Sequence, residues 1–158
     1  MRQGKDAVHQ TNTSTMNETN LPSVKNIVPV RKLGVLWGFL FLLGGILGFV
    51  PGITRDEMFL GFFMVNTPHN LLHILSGTIF LVASLSGAGA ARWCFQITGI
   101  FYAALSLIGF EVGNGLIFDL ISNSRIDSWG HGFLALVLFL TGFVSPNAAR
   151  GNNTNPRK

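Results

Sequence analysis

A chain of 158 residues that is 48% hydrophobic and only 11% charged, with fourteen Phe and nineteen Gly, lies far from water-soluble domains, in which about a quarter of the residues are charged. Its net charge of +4 does not indicate nucleic acid, because Arg2, Lys5, Lys25, Arg31 and Lys32 precede the first apolar run while Arg150, Arg157 and Lys158 follow the last, the placing of membrane-flanking anchors. The lone Cys94 excludes an internal disulfide, a CxxC pair and a thiolate metal cage.

Residues 1–30 form a polar tail rich in Ser, Thr and Asn, too polar to bury anything and expected to be disordered. The first apolar run starts too late and runs too long for the h-region of a cleaved signal peptide. Within a membrane domain over residues 33–145, four spans are expected near 33–50, 68–85, 93–110 and 129–144, each near the lower end of the roughly 17–25 residues that cross a bilayer. Met58 to Val65 and Leu116 to Ile121 are apolar but too short to span, and are expected to lie in the interface before spans two and four. A second polar tail covers 146–158. The expected fold class is all-α: an integral membrane four-helix bundle of two parallel two-span hairpins.

Basic residues set the expected orientation. With both tails and a turn at Arg92 on one side, that side holds nine Lys and Arg, and the other holds Arg55 and Arg125. Both termini are therefore expected in the cytoplasm, with the protein in the cell (inner) membrane. Gly34, Gly38, Gly45 and Gly48 share one face of the first span with Phe41, and Gly44 begins a second small-xxx-small pair with Gly48. Gly99 shares a face of the third span with Ala103 and Ser106, and Gly77 lies in the second. Close helix packing inside one chain is the expected use of these glycines.

The chain contains an internal duplication. Asn66, His69, Asn70 and His73 open the second span, and Ser124, Asp127, Ser128 and His131 open the fourth at the same spacing, fifty-eight positions later. Two-span units return the chain to its starting side, so the copies are parallel and both polar sets fall at the outer end. Asn66 or Thr67 is a candidate helix cap ahead of Pro68, and Ser124-x-x-Asp127 resembles a capping box. His73 and His131 lie about 6–10 Å inside their helices at 1.5 Å per residue, where a polar side chain usually turns into the bundle. His69 and His73 share a helix face through their four-residue spacing, as do Asp127 and His131.

Two stretches, Gly48-Phe49-Val50-Pro51-Gly52 and Asn66-Thr67-Pro68-His69-Asn70-Leu71-Leu72-His73-Ile74-Leu75-Ser76-Gly77, resemble the bacterial membrane family known as domain of unknown function 4383. That family shows a GF-x-PG turn, an N-x-x-HN-x-x-H-x-x-x-G segment and a later N-x-x-DN-x-x-H segment. In the third, Asp127 and His131 match, Ser124 and Ser128 replace the two Asn, and Asn123 stands one position early. The resemblance covers about residues 33 to 145 and implies four membrane helices with no established activity.

Two kinds of function remain in view. In the first, the protein is structural or accessory, and Asn66, His69, Asn70, His73, Ser124, Asp127 and His131 form a buried polar cluster that locks the hairpins together. In the second, His69, His73 and His131, with Asp127 as fourth ligand or as an orienting partner, bind Zn²⁺, Fe²⁺ or Cu²⁺. HEXXH is absent because Asn-Leu-Leu separates His69 from His73, so no glutamate base stands between them. A bis-His haem on His73 and His131, or a small-solute or proton transporter, would use the same cluster. The inner half offers only Gln96, Thr98, Ser84, Ser86 and Thr141 as polar groups. No GxSxG, P-loop or Rossmann pattern supports an enzyme. The lipid bilayer is the expected partner, and a protein partner or a second copy is left open.

Overall fold

The computed structural model describes residues 29–144; the expected polar tails lie outside them except for Pro29 and Val30, where the first helix begins. Four helices run in chain order: α1 (Val30–Leu47), α2 (Thr67–Ser86), α3 (Ala88–Val112) and α4 (Arg125–Val144). Each is long and apolar enough to cross a membrane. Their outward faces carry large apolar side chains, among them Leu36, Phe39, Val82, Leu85, Ile97 and Leu107. That inside-out surface suits lipid and not water.

Most helices start earlier than hydropathy suggests, because starts are set by caps and propensity. Arg31 and Lys32 lie inside α1, where Arg31 donates to Ser84 O (2.8 Å) and Leu85 O (3.2 Å) and so closes the last carbonyls of α2. The reversal between α2 and α3 falls at Gly87 rather than Arg92. Gly87 has φ 150° and ψ 170°, a conformation open only to glycine, and the alanines after it enter α3 at once.

The two short apolar segments are not helical. Thr54–Arg55 (β1), Met58–Phe59 (β2) and Phe63–Met64 (β3) form an antiparallel meander, and Gly115–Ile117 (β4) pairs with Ile121–Asn123 (β5). The fold is predominantly helical, as expected, with these short strands between the helices. Asp56 and Glu57, the two residues between β1 and β2, both have positive φ, the geometry of a type I′ hairpin turn.

Close packing joins α1 to α2, α3 to α4 and, less extensively, α2 to α3, while α1 and α4 barely meet. Glycines make the close approaches possible. A Cβ on Gly38 would come within 3.1 Å of Gly77 O and press into Leu81, one on Gly77 would lie 2.7 Å from Gly38 O, and one on Gly99 would lie 2.9 Å from Phe139 N. Gly34 faces Ser84, Gly45 the backbone of Asn70, and Gly48 the Asn70 side chain. The duplication is visible in these contacts. Gly38, Phe41 and Gly48 recur sixty-one positions later as Gly99, Tyr102 and Gly109, and Gly109 faces Asn123 and Ser128 as Gly48 faces Asn70.

Gly99→Val is expected to destabilise the bundle by about 1–3 kcal/mol, the usual range for overpacking, because the obstacle is backbone. Gly130→Ala, whose Cβ would meet only Phe63 at 3.4 Å, should be near neutral. Thermal unfolding of both variants in nonionic detergent compares them directly.

Candidate metal centre

The site begins with two helix caps. The Asn66 side chain accepts from His69 N–H at 3.0 Å, with Pro68 in the first turn of α2. Ser124 and Asp127 form a reciprocal box: Asp127 Oδ2 accepts from Ser124 N–H at 2.7 Å and Ser124 Oγ at 2.6 Å, and Asp127 N–H donates to Ser124 Oγ at 3.3 Å. These caps fix the first turns of α2 and α4, and with them the directions of His69 and His131.

Each repeat then reaches into the other. His69 Nδ1 bonds Ser122 O at 3.0 Å, and Asp127 Oδ2 accepts from Met64 N–H at 3.0 Å. His69 corresponds to Asp127, and Met64 to Ser122, across the same fifty-eight-residue offset. Asn66 Nδ2 also donates to Leu120 O (2.8 Å), and Ser122 Oγ to Met64 O (3.2 Å). A carbonyl only accepts, so His69 Nδ1 carries the proton and Nε2 keeps its lone pair.

The rings of His69, His73 and His131 converge. Their centroids are 5.1 Å apart for His69–His73, 5.5 Å for His69–His131 and 6.3 Å for His73–His131. One nitrogen from each lies within 4.8 Å of the other two. His69 and His131 are both only 4% exposed. Phe41 packs on His73 at 5.5 Å, and Tyr102 lies 5.4 Å from His131 with its hydroxyl 3.1 Å from Ser76 Oγ. His131 Nδ1 is buried without a hydrogen-bond partner.

Asp127 does not join the converging nitrogens among the described residues. It lines the same cavity, and its Oδ2 accepts from three donors, which fits the bracing alternative better than that of a fourth ligand. Asn70 is buried against Gly48 and also lines the cavity, and Ser124 serves the cap. Asn123, the residue one position early, is fully buried and donates to Gly109 O (3.0 Å) and Gly113 O (2.7 Å). It closes the end of α3, a role no spacing in the sequence announces. Tyr102, Phe41 and Ser122 were likewise legible only once the helices were packed.

A cavity of about 250 Å³ opens beside the imidazoles, between α1, α2, α4 and the β2 and β3 residues Phe59 and Phe63. Its α2 lining ends at His73; one turn deeper, Gly77 is packed on Gly38 O and Leu42. On α1 the lining extends to Trp37, the neighbour of Gly38.

Four apolar helices closed at one end by a buried polar cluster fit a membrane protein of uncharacterised function. Residues 31–144 match the family described as Domain of unknown function (DUF4383), and the chain belongs to it. No curated protein and no solved structure matches the chain.

Asp127→Ala removes an acceptor from three donors and is expected to cost about 2–3 kcal/mol, as for bonds to a charged group, while Asp127→Asn should cost less. Amide exchange at Met64 and Ser124 should quicken in the alanine variant, and unchanged exchange there would contradict the bracing role.

Proposed function

We propose that this membrane protein binds a divalent transition metal ion, with His69, His73 and His131 as its ligands. The observation that carries this reading is the convergence of three imidazoles, two of them buried and the third half-buried, with the Nδ1 of His131 lacking a hydrogen-bond partner. Three neutral imidazoles suit Zn²⁺ and its neighbours Fe²⁺, Co²⁺, Ni²⁺ and Cu²⁺. Metal–nitrogen bonds of about 2.0–2.1 Å place tetrahedral ligands about 3.4 Å apart, so nitrogens now within 4.8 Å of one another would draw together on an ion. Three protein ligands leave one position open. The His69 bond to Ser122 O supports this use, since metal-bound imidazoles usually donate their second N–H to a carbonyl or carboxylate.

A purely structural cluster would pair each of its polar groups within the protein, and the lone Nδ1 of His131 argues against it. Asn66, Ser124 and Asp127 keep the structural part of the task. The positive-inside distribution of Lys and Arg supports cytoplasmic termini, with the metal centre at the outer face of the cell (inner) membrane. In a Cys94→Ala background, Asp119→Cys should then react with a membrane-impermeant maleimide in intact cells, and labelling only after lysis would reverse the orientation.

The full chain, purified in nonionic detergent and exposed to Zn²⁺ or Co²⁺, should retain about one ion per chain by elemental analysis. A His73→Ala, His131→Ala double variant should retain none, whereas His9→Ala, in the polar tail, should match wild type. Retention of no ion by the wild type, or an equal amount by the double variant, would overturn the assignment.

A further inference from the structure

The cavity beside the histidines raises the question of what reaches the metal's open position. Gly44 is the first clue. Other glycines of α1 meet a neighbouring helix so closely that a Cβ would collide, but a Cβ on Gly44 would find only His73 Nδ1, at 3.9 Å. Helix packing does not require a glycine there; its missing side chain leaves space in front of His73. The second clue is the space between α1 and α4, which barely touch, as α2 and α4 do. Trp37 and Gly44 on one side and Phe133 and Leu134 on the other line the cavity at this gap. Phe133 is 69% exposed, so at this wall the cavity borders the lipid-facing surface, while Phe59 and Phe63 line it at the loop end.

Charge narrows the occupant. No Lys or Arg lines the cavity, so the ion is the single cation on offer to an anionic head, whereas a dianionic phosphate normally draws on several. A divalent ion on three neutral imidazoles, with the Asp127 carboxylate on the same cavity, carries a local charge of about +1, which a single monoanion neutralises in a low-dielectric site. The remaining walls are aromatic and aliphatic.

We infer that the open position takes the carboxylate head of a long-chain fatty acid that enters from the bilayer between α1 and α4, past Gly44. The inference rests on the metal reading: the ion holds the head, and the cavity and the gap take the tail. No covalent step is involved.

The test uses the Co²⁺-loaded full chain in nonionic detergent, with the visible absorption of the metal as readout and sodium dodecanoate, acetate and dodecyl phosphate as probes. Dodecanoate should shift the spectrum at a concentration about 100-fold below acetate, the discrimination that roughly four buried methylenes supply. Gly44→Leu should keep the Co²⁺ spectrum, showing an intact centre, and weaken the dodecanoate response at least tenfold. Acetate as effective as dodecanoate, dodecyl phosphate as effective as dodecanoate, or a Gly44→Leu response equal to wild type would each overturn the inference while leaving the metal centre standing. Absence of any Co²⁺ spectrum in the wild type would instead remove the metal reading, and this inference with it.

Discussion

The reciprocal pair of bonds at the loop end, His69 to Ser122 O and Met64 N–H to Asp127, is the constraint on which the rest of this molecule depends. Lipid exerts little hydrophobic force between helices, so their association rests on close packing and on bonds worth about 0.6–2 kcal/mol each. Packing joins α1 to α2 and α3 to α4, but the two hairpins meet over a smaller surface. The crossed bonds fix how one hairpin sits on the other, and thereby the approach of His73, on α2, to His131, on α4.

Duplication explains why those bonds are paired, and divergence explains why they differ. At corresponding positions the first repeat has an imidazole that donates to a carbonyl, and the second has a carboxylate that accepts from an amide. A carboxylate in place of His69 would have no proton to give Ser122 O. The mixed pair satisfies both strands and leaves three imidazoles, rather than four, at the meeting point. The carboxylate that might have competed for a cation is held by three donors of its own.

Much of this was legible in the sequence, and what escaped has physical causes. Four spans, the fifty-eight-residue repeat, the capping box at Ser124 and Asp127, and a polar cluster at one end follow from hydropathy and spacing alone. Helix starts escaped because a hydropathy window is blind to caps and to alanine: the actual reversal rests on the backbone of Gly87, while Arg92 drew attention only by its charge. The strands escaped because segments of six to eight apolar residues do not distinguish a hairpin from an interfacial turn. The roles of Asn123 and Tyr102 depend on contacts between distant segments, which no local pattern encodes. Gly44 looked like one more packing glycine, and only its open surroundings separate it from Gly45 and Gly48.

The His131 Nδ1 without a partner links stability to function. Leaving a buried polar nitrogen unpaired costs about 1–3 kcal/mol, comparable to one or two of the bonds that hold the hairpins together. The surroundings could have supplied a partner: Ser128, three residues before His131, spends its hydroxyl on Ser124 O and Asn123, and Ser76 spends its own on Tyr102. Neither serine bonds the ring, and the imidazole is left ready for a ligand from outside the chain. On the metal reading that readiness is the centre's function, and the unbound protein carries its cost until the ion arrives.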